Sequence, residues 1–482
     1  MSRPNLPLLA LLLPLAALAQ GPIPANQGGI TQAQLLRAFP DPNAAPAPTP
    51  PPPTIGGILT ANDISGQTQT LVSTAPVQTA TNAFFQSLGS NGRACATCHT
   101  PQSGWGMTPQ QAQAIFAASN GGDPLFRRFD GAVCPTADMS TPAAMKSAYA
   151  LLLNRGLIRV GVTIPTNAEF TVPSVVDPYN CTTSPTTGLT SPSAGVISVY
   201  RRPLPTANLR FETTLMWDGR EPTLTSQATD ATLIHAQAFT APTAAQLTQM
   251  VGFELALTAA QSNDNAAGST GSPASLAAQA VTGPDNAPFP SNAFTVFQSW
   301  ASLTGGDAQT QARQSIARGE AIFNTRPMQI AGVAGFNNTV IGGHAVGGAF
   351  TGACSTCHDV VNSGNNSKGL MLDIGVTTAG GVAAVALNAA GLPQFTLTCI
   401  SGNQAGRRTV VTDPGAALIT GKCADIGKTK VPALRNLAAR GPYFHNGSAG
   451  NLRDVVNFYD RRFRLGLSQQ EVTDLVNFLS AL

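Results

Sequence analysis

Cys95-Ala96-Thr97-Cys98-His99 and Cys354-Ser355-Thr356-Cys357-His358 are the two stretches on which the reading of this chain turns. Each is Cys-x-x-Cys-His. That spacing lets one short turn offer two thiols to the vinyl groups of a haem while the next residue, a histidine, ligates the iron. With eight cysteines and five histidines in 482 residues, one such run arises by chance in about one chain in a thousand. Two make coincidence negligible. A zinc site would need both clusters to converge and gives neither histidine a separate role. A thioredoxin-like pair would want a βαβ pattern, which the flanking sequence lacks. Cys95, Cys98 and His99 therefore belong to one covalent haem, and Cys354, Cys357 and His358 to a second.

Outward from these motifs the chain divides into two halves that repeat one plan: a helical segment, the haem motif, then a long variable stretch. Residues 82–88 precede the first motif and residues 312–323 the second. Further helical stretches are expected at 109–118, 143–153 and 244–260. The C-terminus is the clearest, with Val472, Leu475, Val476, Leu479 and Leu482 on one face and a Ser468/Glu471 capping box. The glycine-rich run 332–352 reads as a loop. Strand-like alternation is scarce, so the expectation is an all-α protein with long Thr/Pro/Gly-rich connections.

The N-terminus carries an export pattern: Arg3, an apolar run 6–18, and Ala17-Leu18-Ala19 before Gln20. The run is shorter than the roughly 20 residues a spanning helix needs, and no later segment is long and apolar enough. Residues 1–19 are read as a signal peptide and the mature chain as periplasmic or secreted, with no membrane span after signal removal. Residues 20–60, with APAPTPPPP at 45–53, read as a disordered Pro-rich linker. Charged residues make up only 11%, against about 25% in ordinary soluble proteins. There is no basic run, which argues against nucleic acid as a partner. The other four cysteines, Cys134, Cys181, Cys399 and Cys423, suggest disulfides in an exported chain. Three pairings are open. The local one, Cys134–Cys181 with Cys399–Cys423, keeps each bond within one half, and free buried thiols are the alternative.

Over residues 75–482 the chain resembles the bacterial dihaem cytochrome c peroxidase/MauG family. Beyond the haem motifs, the resemblance rests on Trp217-Asp218-Gly219-Arg220 with Leu224 and Gln227. It rests also on Val431-Pro432-Ala433-Leu434-Arg435-Asn436 with Gly441-Pro442-Tyr443-Phe444-His445-Asn446-Gly447, and on LRDVVNFY at 452–459. It implies two cytochrome c-like haem domains with loop-rich insertions, at 61–300 and 301–482. His99 would ligate a peroxide-reactive haem and His358 an electron-relay haem, with Trp217 between them. Tyr459 stands where the peroxidases carry a methionine ligand and MauG-like members a tyrosine. A phenolate is a hard anionic donor that favours the higher oxidation states of iron. A buried helix tyrosine is the plain alternative. The resemblance also implies that His445 lies near the relay haem. It further implies a calcium ion held by Asn208 and the carbonyls of Arg440 and Pro442, although no acidic cluster suggests one.

The chain also departs from the family. The catalytic glutamate expected twenty residues after Trp217 is Gln237, whose amide cannot carry a proton between peroxide oxygens. His235 is the candidate substitute, as a distal base, a haem ligand or a structural histidine. In a helix, residues two apart face differently, so Gln237 and His235 cannot both face the haem. No histidine lies between His99 and His235, so the first haem is expected to be open. Met107, Trp105 and His344 read as pocket wall or loop residues. The expected function is a periplasmic dihaem oxidoreductase that uses hydrogen peroxide and oxidises an unidentified reducing substrate or redox protein. A dihaem oxygenase that uses dioxygen on an apolar substrate such as polyisoprene, and a non-enzymatic electron carrier, are the alternatives.

Overall fold

A computed structural model describes residues 54–179, 195–279, 289, 292–378 and 387–482. The export segment, the proline run and Cys181 lie outside the described residues. The chain mixes helix and sheet, which corrects the all-α expectation: six antiparallel sheets occur among the described residues. The largest has the strand order Thr54–Asp63, Gly66–Gln78, Leu257–Asp264, Gly268–Ser269. Its second strand shows why alternation went unseen. In GQTQTLVSTAPVQ the buried positions are Thr68, Thr70 and Val72, and the more exposed ones are Gln67 and Gln69. Burial alternates with period two, but hydropathy does not, because two inward residues are threonines. β-branched threonine suits a pleated surface, and the Thr70 hydroxyl is satisfied by the Trp105 indole N–H at 2.8 Å. The first strand begins at Thr54, inside the stretch read as linker.

Three helical readings are also revised, the first being 82–88, which holds only the 3₁₀ turn Ala83–Phe85. The run at 244–260 is a helix only over Ala244–Ala256; Leu257–Asp264 then turns extended and pairs with Gly66–Gln78. Alanine-rich sequence favours helix locally, but here the unpaired edge of the neighbouring strand supplies the backbone partners. The run at 143–153 is two short helices, Pro142–Ala148 and Ala150–Arg155, broken at Tyr149. The glycine-rich run contains the strands Thr339–Ile341, His344–Val346 and Ala349–Gly352.

The second motif is cradled by three helices, Ala308–Thr325, Leu452–Phe463 and Gln469–Ser480. Phe294, Phe297, Phe323 and Phe478 interlock between them. The first and last of these helices touch backbone to backbone at Gly319, where a Cβ would lie 2.1 Å from the Asp474 carbonyl oxygen and 2.6 Å from Phe478 Cβ. Gly319→Ala is therefore expected to lower stability by about 2–3 kcal/mol, the cost of overpacking a tight contact, read as a lower urea midpoint with an unchanged slope.

A further core draws on both halves of the chain. Phe170–Val176 pairs with Gln394–Cys399, which pairs with Arg408–Val411. Around them pack Val162, Ile197, Val199 and Phe395. The Cys399–Cys423 disulfide is formed at this core.

Candidate functional site: two haem-binding cavities with a common wall

The two Cys-x-x-Cys-His motifs fold alike because their local chemistry is alike. Each forms one 3₁₀ turn, Cys95–Thr97 and Cys354–Thr356. In each, the threonine hydroxyl accepts the N–H of the preceding alanine, at 3.0 Å for Thr97 and Ala94 and 2.8 Å for Thr356 and Ala353. The histidine N–H then bonds back to the first cysteine carbonyl. Both histidine rings are oriented by a backbone carbonyl: His99 Nδ1 lies 2.8 Å from Trp105 O, and His358 Nδ1 lies 2.5 Å from Gly364 O. A carbonyl only accepts, so Nδ1 carries the proton and Nε2 keeps its lone pair. Burial pushes both imidazoles down to about 4, which keeps them neutral. The four cysteines are unbridged. Burial pushes the Cys98 thiol up to about 11 and the Cys354 and Cys357 thiols up to about 12, and raises Cys95 as well.

Each motif opens on its own cavity. The first is lined by Cys95, Cys98, His99, Met216, Gln227, Ala231, His235, Met250 and Glu254. The second is lined by Cys354, Cys357, His358, Phe323, Leu372, Tyr459, Phe463, Leu475 and His445. Trp217, Arg202, Lys430 and Arg440 line both, so they form a common wall. Trp217 is anchored there by its indole N–H, which donates to Arg202 O at 2.8 Å, and its ring stands 6.1 Å from that of His445.

The wall also carries charge. Arg202 and Arg440 are buried side by side and bond only backbone carbonyls among the described residues. Burial pushes Arg202 down to about 9, helped by the adjacent Arg440 charge, and pushes Arg440 down to about 10. Neither guanidinium has a carboxylate at ion-pairing distance among the described residues, Glu212 acting on Arg440 only from farther off, so the pair suits an anion. Haem propionates meet that need, and the apolar walls with paired thiols and a free Nε2 meet the rest. The residues fit haem c at both sites.

Tyr459 sits on the helix Leu452–Phe463 and stacks on Phe463 at 5.9 Å. Burial raises its phenol, with the nearby thiols acting the same way, and its oxygen has no hydrogen-bond partner among the described residues. His445 is buried, and its Nε2 lacks a hydrogen-bond partner at 3.7 Å from Asp413. Burial pushes that imidazole down to about 4 despite the carboxylate.

Of the two distal candidates, the fold brings only His235 to the cavity. The helix Leu224–Ile234 ends there, and Gln227, Ala231 and His235 lie one turn apart on the cavity side. Gln237 follows at φ +54, with its side-chain oxygen accepting from Asn91 Nδ2 at 3.2 Å, and it does not line the cavity. Trp105 and Met107 pack in neighbouring hydrophobic clusters, and His344 is exposed on its strand. Sequence reasoning missed Asp130, Arg93, Arg202 and Glu254. Burial lifts the unpaired Glu254 carboxyl to about 8. Distant single residues of this kind leave no pattern in a sequence.

The calcium expectation does not fit the residues present. Both ends of the Asn208 amide pair with the Ala259 backbone, at 2.8 and 3.0 Å. The Arg440 carbonyl accepts from Arg202 Nη1 at 2.6 Å, so a guanidinium already holds it. Hard oxygen donors, carboxylates above all, are what calcium requires. Excess EDTA is expected to leave the melting temperature and the haem optical spectrum unchanged; a drop that added calcium reverses would contradict this.

No family model matches the chain. It is similar to "Cytochrome-c peroxidase IdrP1" of Denitromonas iodatirespirans, 40% identical over 88 residues, covering 16% of this chain and 23% of that protein. The protein of the same name from Pseudomonas sp. (strain SCT) is 36% identical over 86 residues, 16% of this chain and 23% of that one. "Methylamine utilization protein MauG" of Paracoccus denitrificans (strain Pd 1222) is 50% identical over 38 residues, 8% of this chain and 10% of that protein. The chain thus spans under a quarter of the length of the curated relatives it matches.

Proposed function

We propose that this chain is a periplasmic dihaem oxidoreductase of the cytochrome c peroxidase/MauG type that reduces hydrogen peroxide, a reading supported by its partial similarity to proteins of those names. The observation that carries the reading is the common wall: two haem-fitting cavities meet at one tryptophan. When bound, the haems supply iron that exchanges electrons with peroxide. The net reaction is H2O2 + 2H+ + 2e− → 2H2O, with the electrons drawn from an external reducing substrate or redox protein.

The residues of the chain divide the remaining work. His99 and His358 would each hold an iron through Nε2, their rings being fixed by a backbone carbonyl at Nδ1. Trp217 gives electrons an aromatic path between the cavities. Tyr459, which lines the second cavity, would be the phenol available to hold the iron on the His358 side, and a phenolate there would favour oxidised iron. Arg202 and Arg440 balance buried propionates. His235 is the ionisable ring on the distal side of the first cavity. Residues 61–300 and 301–482 are then the two haem-bearing regions, and residues 1–19 direct export.

One EPR spectrum of the ferric protein tests the arrangement. It should contain one high-spin haem, the open His99 site, and one low-spin haem, the His358/Tyr459 site. Two low-spin signals would favour a plain electron carrier. Peroxide should then produce a spectral change that outlasts haem bleaching. Dioxygen uptake with an apolar polyene, in place of that response, would favour the oxygenase alternative. Tyr459→Phe should convert the low-spin signal to high-spin while leaving the first signal untouched; an unaltered spectrum would remove Tyr459 from the ligand set.

A further inference from the structure

We infer that Asp130 is a positioning residue that fixes His235 as the proton acceptor of the first cavity. This deepens the reading of that cavity as an open haem site and rests on it. The observation is a chain of contacts that joins three separate parts of the sequence. His235 Nδ1 lies 2.9 Å from Asp130 Oδ2. Arg93 Nη1 lies 2.6 Å from both oxygens of the same carboxylate. Arg93 is itself pinned by its Nε to Pro124 O at 2.8 Å and its Nη2 to Leu125 O at 2.6 Å. Asp130 is buried, while His235 keeps 29% of its side chain exposed, on the cavity side.

The geometry sets the tautomer. Arg93 holds the carboxylate ionised against its burial, with His235 helping. An ionised carboxylate only accepts, so Nδ1 of His235 carries a proton, and in the neutral ring that tautomer leaves the lone pair on Nε2. Of the two ring nitrogens, Nε2 is the one not committed to Asp130. A neutral base at that place accepts a proton from an incoming acid, and the carboxylate behind it stabilises the imidazolium that forms. Asp130, Arg93 and Asp230 are the charged groups facing the ring, and His99 is the nearest other imidazole. Gln237 has no part in this: its amide is turned to Asn91.

Hydrogen cyanide is the probe, because the test must not depend on peroxide chemistry. At neutral pH it arrives as HCN and binds ferric iron as cyanide. The H–C bond breaks, the proton goes to Nε2, the carbon keeps the electron pair and donates it to iron, and nothing is oxidised. The experiment is stopped-flow cyanide association on the dihaem holoprotein. His235→Ala should slow association about 100-fold or more, the usual worth of a positioned base. Asp130→Asn should slow it about 10- to 100-fold at full haem content, because Arg93 claims the amide oxygen and the amide NH2 then faces Nδ1. That inverts the tautomer and points an N–H into the cavity.

Asp130→Glu keeps a carboxylate and should recover most of the rate. In the His235→Ala background, Asp130→Asn should add nothing. The inference is overturned by an Asp130→Asn rate equal to wild type, or by a further loss of the same size in the His235→Ala background. Should Asp130→Asn not fold, an Asp130→Glu rate no better than that of His235→Ala overturns it as well. A ferric protein that binds no cyanide has no open site, and the inference falls with it. A protein that behaves as expected toward cyanide but ignores peroxide keeps the dyad and loses the peroxidase reading.

Discussion

Replacing Cys95 and Cys98 together by alanine is expected to remove one covalent haem and leave the other, and Cys354→Ala with Cys357→Ala to do the same at the second site. The effect should be all or none at each site, because the two thiols are the attachment points and no other free cysteine occurs among the described residues. The two motifs stand on separate turns with separate orienting carbonyls, Trp105 O and Gly364 O. Losing one thioether pair therefore leaves the local geometry of the other intact. Intact-mass measurement of the purified protein should show two haem masses in wild type and one in each double variant. The denatured chromophore absorbance should fall by half. A variant that retained both haems would overturn the dihaem reading. The Cys399→Ala/Cys423→Ala pair is the control: it should lower stability without changing the haem count.

The second large effect concerns stability. Arg201 sits buried between two carboxylates, giving Nη1 to Asp218 and Nε and Nη2 to Asp413. Arg201→Met keeps the bulk and removes the charge. Asp218 would retain Arg220, which lies at 2.9 Å. Asp413 would keep only the Gly415 N–H at 2.8 Å and His445 at 3.7 Å, with no guanidinium. Breaking a buried ion pair on one side costs about 3–5 kcal/mol, and here Asp413 loses its guanidinium while Asp218 loses one of two. The expected result is a urea midpoint lowered by at least that equivalent, or failure to accumulate.

The pH dependence should change with it. Arg201, with Arg220, overcomes burial and holds the Asp218 carboxyl down at about 2, against 3.8 ordinarily. A carboxyl depressed in the folded state stabilises fully above its unfolded value and loses that contribution as pH falls from about 4 to 2. The contribution is about 2 kcal/mol. In Arg201→Met the steep loss of stability across this window should flatten. An unchanged acid-unfolding profile would show that the pair carries no net stabilisation. Because Asp218 adjoins Trp217, the variant should also broaden the haem spectra.

The parts legible in the sequence were those in which neighbours along the chain act together. The two haem motifs, the helix Ala308–Thr325 and the capped C-terminal helix Gln469–Ser480 are all local. Their chemistry lies within a few residues, and their apolar residues recur at helical spacing. The sheet was missed for an equally physical reason. The inward face of Gly66–Gln78 includes two threonines, and Leu257–Asp264 buries six consecutive residues of mixed polarity, so neither strand displays apolar alternation. Pairing across nearly two hundred residues, not local pattern, makes them strands.

The site divides along the same line. The sequence by itself determined that this chain carries two c-type haem motifs, and its resemblance pointed to Trp217 and Tyr459. Only the tertiary structure decided what surrounds them. It turned Gln237 away and His235 inward, because the helix ends at Ile234 and the chain passes through a left-handed residue two positions before an exposed phenylalanine. It set Asp130 behind His235 from 105 residues away and Arg93 behind Asp130. It also filled the expected calcium position with a guanidinium. Covalent attachment needs only a short run of residues, whereas the protonation, tautomer and charge balance of a buried site depend on groups that meet only when the chain has folded.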